Sequence, residues 1–297
     1  MKMVSKTALF SAMVITTLSG MTQVHAADTL MKIKTTGKIV IGHRESSDPI
    51  SYVSGGKPVG YALDICNNIA AEVKKQLKLP NLKVEYKAVT SSTRVPELLA
   101  GNIDMECGST TNSKQRQEQV AFSINYYATE VRMAVKAASG IKSISDLNGK
   151  AVVTTQGTTS DKYIKMNEKG QNVNVQNIYG KDHADSFAIL ASGRAAAFVM
   201  DDNILAGLIA KSSTPKAFAI VGPILSSEPY GIMLPKADPQ FKAVVDRVVL
   251  GMWKSGQMDQ LYKKWFLSPI PPKNISLNMP QSESYKQLKA HPNDAGI

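Results

Sequence analysis

Cysteine, histidine and long apolar runs are all scarce in this chain of 297 residues. Its two cysteines, Cys66 and Cys107, are too few for a disulfide scaffold. Four histidines form no cluster with metal-ligand spacing, and no nucleophile stands beside a base, so no catalytic residue, metal site or cofactor is expected. Beyond the first residues, nothing approaches the ~18 uncharged apolar residues of a membrane span. The basic residues are scattered and match no DNA- or RNA-binding motif, which argues against a nucleic-acid partner.

One apolar stretch does stand out. Lys2 and Lys6 precede an uncharged run from Ala8 to Leu18, and Val24-His25-Ala26 sets small residues at the −3 and −1 positions of a cleavage site. The expectation is a signal peptide over residues 1–26, cut after Ala26, and an exported mature chain. Loss of the two lysines lowers the formal charge from +11 by two, to +9. That excess fits an anionic small solute better than a nucleic acid, although a solvated lysine-rich surface also accounts for it. In an oxidising compartment Cys66 and Cys107 either bridge or remain two buried thiols, and spacing alone does not decide between them.

The mature length of ~270 residues exceeds that of a typical single core and suggests two lobes. Strand and helix patterns alternate. Residues 38–42 read as a buried strand, 63–77 as a helix with Ile65, Ile69, Val73 and Leu77 four apart, and 82–86, 95–100 and 103–107 as strand, helix and strand. A second unit repeats the pattern at 151–155, 161–169, 173–178, 184–192 and 195–200. Two such units imply an α/β fold of two lobes, each a mostly parallel sheet flanked by helices, with a cleft between them. The strand-like segments 130–135 and 230–234 bracket the second unit and are read as two hinge crossings. This gives lobe 1 as 27–128 plus 229–297, and lobe 2 as 129–228. Helices are expected at 241–254 and 258–266, the latter a globular packing face rather than a membrane helix. The tail after Pro269 has weak periodicity and is expected to wrap the surface.

Three places put hydroxyls or charge where a strand gives way to a helix. In Cys107-Gly-Ser-Thr-Thr-Asn112, glycine lets the backbone come close, and hydroxyls with free N–H groups suit an anion. Arg116, about one and a half turns beyond Thr111, can reach back to the same anion. Thr155-Gln-Gly-Thr-Thr-Ser160 is a second such turn in the other lobe, and either turn alone could be a simple helix cap. Asp201, ending a strand at the sheet edge, suits an ammonium group, while Asp202 reads as a solvent-facing cap. A carboxylate acceptor opposite an arginine donor fits the two ends of an amino acid.

The segments GHRESS (Gly42 to Ser47), VGYALD (Val59 to Asp64), TSSTRVP (Thr90 to Pro96), ECGSTTNSKQR (Glu106 to Arg116), TTQGTTS (Thr154 to Ser160), KDHADSF (Lys181 to Phe187), FVMDD (Phe198 to Asp202) and SPIPPKN (Ser268 to Asn274) together give the chain a resemblance to the family 3 extracellular solute-binding proteins. Within that family it is similar to the glutamate/aspartate-binding members of polar amino acid ABC transporters. The resemblance implies a type II periplasmic binding-protein fold and a free, monomeric periplasmic protein. It also implies glutamate or aspartate as ligand and the permease subunits of an ABC importer as partner. Ser109, Thr111 and Arg116, with Thr159 opposite, would hold the α-carboxylate, and Asp201 the α-ammonium. Arg44, Ser91, Arg94 and His183 would read the side-chain carboxylate, whose charge suits permanently cationic forked donors. Two departures stand out: Ser92-Thr93 replaces an amide-containing pair, and Tyr230-Gly-Ile-Met lacks a cysteine seen in relatives, leaving Cys107 with a different partner or none. Some relatives on this fold are dehydratases, which is the alternative from another class.

Overall fold

A computed structural model of the protein describes residues 28–297; the expected leader and its cleavage site lie outside the described residues. Two five-stranded sheets form the framework. In the first, Lys83–Ala88, Lys38–His43 and Met105–Cys107 run parallel, followed by Met233–Leu234 and Ala121–Phe122, paired antiparallel. In the second, Gln176–Gly180, Ala151–Thr155 and Ala197–Asp201 run parallel, followed by Tyr127–Lys136 and Phe218–Tyr230, again antiparallel. The two sheets share one plan, and each presents the C-terminal ends of its three parallel strands to the other, where open α/β sheets bind ligands.

Burial follows from side-chain alternation. Along Tyr127–Lys136, Val131, Met133 and Val135 face one core while Ala134 faces another; Val152 and Val153, then Val199 and Phe198, divide the same way. Helices therefore cover both faces, as a parallel sheet requires. The Tyr61–Gln76 helix buries Ile65, Ile69 and Val73 against the first sheet and meets the Pro239–Lys254 helix.

Several expectations need revision. The second crossing is a break rather than one strand: Phe218–Tyr230 belongs wholly to the second sheet and Met233–Leu234 to the first, so the chain changes sheet at residues 231–232. Likewise Tyr127–Lys136 lies in the second sheet, and the first passage precedes Tyr127. The tail does more than wrap the surface. Ser282 caps a Glu283–Ala290 helix whose Tyr285 and Leu288 are buried, and Tyr285 packs 4.6 Å from the Tyr262 ring and 5.6 Å from the Tyr127 ring. This helix of 8 residues has only two buried positions, and its sequence shows no clear apolar periodicity. Trp265 and Phe266 are buried, as a packing face requires.

Cys66 and Cys107 are bonded to each other, with 41 residues of separation. The bridge ties the Tyr61–Gln76 helix to the strand that ends one residue before Gly108. Closing a loop of that length removes unfolded-state entropy equivalent to about 4 kcal/mol. The Cys66→Ala/Cys107→Ala double variant is expected to melt at least several degrees lower, and an unchanged Tm in calorimetry would contradict this.

Candidate functional site

Most sequence-predicted site residues lie at or just after the end of a strand or at the start of the helix that follows, while Ser91 lies in the turn before the Arg94–Leu99 helix and Arg116 within the Lys114–Gln117 helix. Arg44 follows Lys38–His43, Arg94 opens the Arg94–Leu99 helix, and Ser109 and Thr111 follow Met105–Cys107. From the second lobe, Thr159 precedes the Ser160–Gln171 helix, His183 opens His183–Ala191, and Asp201 ends Ala197–Asp201. Gly108 makes the first turn possible: a Cβ there would lie 2.2 Å from Glu106 Oε1 and 2.6 Å from Arg44 Cγ.

The three guanidinium groups are held by oxygen acceptors. Arg44 is 1% exposed; it donates from Nε to Val89 O (3.0 Å) and from Nη1 to Ser109 Oγ (3.4 Å). Arg94 is 2% exposed; it donates from Nη1 to Thr110 Oγ1 (2.7 Å) and from Nη2 across the cleft to Gly157 O (3.3 Å). Half-buried Arg116 reaches back to Thr111 O (2.9 Å), as its spacing predicts, and also donates to Gly157 O (3.1 Å). Burial, then Arg94, lowers Arg116 to about 9, and the same causes lower Arg44 to about 10, so both remain charged at neutral pH.

His183 is fully buried, and burial, then Arg44 and Arg94, holds it well below the usual imidazole value. A neutral ring fits its contacts. Nδ1–H donates to Thr155 Oγ1 at 3.0 Å, leaving Nε2 to accept from Arg44 Nη2 at 3.4 Å. His183 therefore meets the cleft through Arg44. Asp201 accepts from the Tyr230 hydroxyl, and burial, then Glu228, raises its carboxyl well above the usual range.

Ser91 Oγ, Arg94 Nε and Asp201 Oδ1 are buried without a partner among the protein atoms. An unpaired buried polar group costs about 1–3 kcal/mol. Three such groups around one cleft are suited to a small polar ligand that has both donors and acceptors.

Asp202 is not a solvent-facing cap. Its carboxylate accepts from Thr129 Oγ1 at 2.8 Å and from its neighbour's N–H, binding the helix start to the adjacent strand. The Ser92 and Thr93 side chains bond within their own turn to Thr90 and are exposed. Two carboxylates escaped the sequence reading. Glu106 accepts from Thr110 Oγ1 at 2.5 Å, completing a relay from Arg94. Glu228 accepts from Thr111 Oγ1 (2.5 Å) and Thr159 Oγ1 (2.8 Å), one hydroxyl from each lobe. Its signal was its place two residues before Tyr230 in a strand, which sets both side chains on one face.

Comparison with known proteins agrees with this geometry. The family model of the bacterial extracellular solute-binding proteins, family 3, matches residues 39–268. The L-glutamate/L-aspartate-binding protein of Pseudomonas aeruginosa is 46% identical over 90% of this chain and 89% of its own. The glutamate/aspartate import solute-binding protein of Escherichia coli is 46% identical over 92% of this chain and 90% of its own. Among solved structures, a mutant of ArgBP from T. maritima superimposes with a TM-score of 0.70 at 28% identity, covering 80% of this chain and 98% of that one.

Proposed function

The chain belongs to the bacterial extracellular solute-binding proteins, family 3, and from that premise we propose that it captures glutamate or aspartate in the periplasm and delivers it to the permease subunits of an ABC importer. The observation that carries this reading is the convergence of Arg44, Arg94 and Arg116 on a cleft whose far wall holds Asp201. An acidic amino acid has the matching charges: two carboxylates for forked cationic donors and an ammonium for a carboxylate.

In this reading Ser109, Thr111, Arg116 and Thr159 clasp the α-carboxylate, and Asp201 takes the α-ammonium. Ser91, Arg94 and Arg44, the last oriented by His183, take the side-chain carboxylate. Residues 1–26 are the leader, the second lobe runs from the Tyr127–Lys136 strand to the Phe218–Tyr230 strand, the rest of the mature chain forms the first lobe, and the protein acts as a monomer. Ligand bound to the first lobe recruits the second because the closed form adds contacts that the open form lacks. The protein is a binder and not an enzyme in this account. The cleft imidazole is committed to Thr155 and Arg44, and burial beside two arginines keeps it neutral, so it is poorly suited to give a proton to a leaving group, which disfavours the dehydratase alternative.

Isothermal titration of ligand-stripped protein tests the reading, with tight one-to-one binding of glutamate and aspartate and weak or no binding of glutamine and asparagine expected. No binding of any of the four would sink it. The Arg94→Ala variant isolates the side-chain pocket. Truncating one member of a buried charged pair costs about 2–5 kcal/mol, so glutamate affinity should fall at least ~30-fold while that for glutamine changes far less. Equal losses for both would show that Arg94 does not read the side chain.

A further inference from the structure

We propose that Glu228 takes up one proton from solvent when an acidic amino acid binds, so that it meets the ligand's α-carboxylate as a carboxylic acid and not as a second anion. The inference rests on the reading given above. Its starting point is that Glu228 Oε2 already accepts from Thr111 Oγ1 at 2.5 Å and from Thr159 Oγ1 at 2.8 Å. These are the two hydroxyls assigned to the α-carboxylate. Each hydroxyl has a single proton to donate. A ligand carboxylate that takes both leaves Glu228, which is 0% exposed, with no donor and a second anion beside it. Its other oxygen, Oε1, has no partner among the protein atoms.

Charge counting leads to the same place. Around the cleft Arg44, Arg94 and Arg116 face Glu106, Asp201 and Glu228, with the partly exposed Asp182 a further anion near Arg44. Glutamate or aspartate adds two carboxylates and one ammonium, a surplus of one negative charge in a site closed off from water, and carboxylates that share such a site do not all remain ionised. One proton offsets that surplus.

The groups facing Glu228 favour it as the acceptor. Arg116 and Arg94 approach from the first lobe, but Arg116 is the residue the ligand claims. Asp201, from the second sheet, adds repulsion; burial and Glu228 raise its own carboxyl, the Tyr230 hydroxyl opposes that shift, and the ligand ammonium would hold Asp201 as the anion. Asp202, behind Asp201, is satisfied by Thr129 and backbone N–H groups. On the tail side, His291 lines the same surface groove as Glu228. Burial already raises the Glu228 carboxyl above the ordinary range. As an acid, Glu228 can donate its O–H to the ligand carboxylate or to a threonine oxygen, turning a repulsion into a hydrogen bond.

The test is titration of the wild-type protein with glutamate at pH 7 in phosphate and in Tris, whose ionisation enthalpies differ. The slope of binding enthalpy against buffer enthalpy counts the protons taken up. We expect a slope near one for the wild type and near zero for Glu228→Gln, whose side chain copies the neutral acid. A wild-type slope near zero, with glutamate still bound, overturns the inference and leaves the functional reading standing. The same slope in Glu228→Gln also overturns it, because the proton then lands elsewhere. A wild-type protein that does not bind glutamate overturns the functional reading itself. Should the variant bind too weakly to titrate, infrared difference spectra of the wild type decide. A protonated-carboxyl band must appear with ligand and must shift when the protein's glutamates, and not its aspartates, carry carboxyl ¹³C; a band that follows the aspartates, or none, counts against Glu228.

Discussion

Replacing Arg116 with alanine is expected to abolish useful binding of every amino acid, acidic or neutral. In the proposed reading Arg116 serves the α-carboxylate; it donates to Thr111 O at 2.9 Å and to Gly157 O in the opposite lobe at 3.1 Å. Each amino acid presents the same carboxylate there, so the loss should not depend on the side chain. Truncating one member of a hydrogen-bonded charged pair costs about 2–5 kcal/mol, or roughly 30- to 4,000-fold in affinity. The lost bridge to Gly157 adds to this by weakening closure. Stability should change little, because the side chain is only half-buried and Thr111 O and Gly157 O each lose one donor at the cleft rim. Arg116→Lys keeps the charge but not the fork, and should recover only part of the affinity. Calorimetric titration with glutamate and glutamine, alongside the Tm of the ligand-free variant, checks all three points. Retained glutamate binding within tenfold of wild type, or a loss confined to acidic ligands, would assign the α-carboxylate to another residue.

The contrast between Arg116 and His183 shows what could be read from sequence and what could not. The distance from Thr111 to Arg116 along a helix start is local geometry, and the reach back to Thr111 O follows from it. The alternation of strand and helix is equally local, and residues 151–155 form a strand over the range its pattern indicates. His183 also sits where its motif put it, yet its partners, Thr155 and Arg44, come from two different sheets. Neither its neutral state nor its hold on Arg44 follows from KDHADSF alone. The same applies to Cys66 and Cys107, whose pairing depends on where a helix packs against a strand. Glu106 and Glu228 were missed because a carboxylate in a strand reads as a surface residue until the fold sets arginines and hydroxyls around it. The tail helix was invisible for another reason. Its stability comes from Tyr285 packing among Tyr127, Trp253 and Tyr262, contacts of long sequence separation that no local window contains.

Gly157→Ala is expected to give a protein that folds and cannot close. Gly157 has φ +76, a left-handed conformation that costs a residue with a Cβ about 1–2 kcal/mol. That local cost alone would lower the Tm by a few degrees. The larger effect lies across the cleft. A Cβ at Gly157 would sit 2.7 Å from Ser91 O and 2.8 Å from Ser92 Cα, backbone atoms of the opposite lobe that no rotamer change can move. The clash exists only while the lobes touch, so the open form accepts the methyl group and the closed form does not. Relief requires backing the Gln156–Thr159 turn away, and this turn carries the carbonyl that accepts from both Arg94 and Arg116. Thr159 would retreat with it. The first-lobe half of the site is untouched, so residual weak binding should survive while affinity falls by ~100-fold or more. Small-angle scattering with and without saturating glutamate separates this from simple unfolding: the wild type should contract on binding, and the variant should keep its open radius of gyration while remaining cooperatively folded. A variant that contracts like wild type and binds as tightly would mean that the turn yields at little cost, and that the contact between Gly157 and Ser91 is not what limits closure.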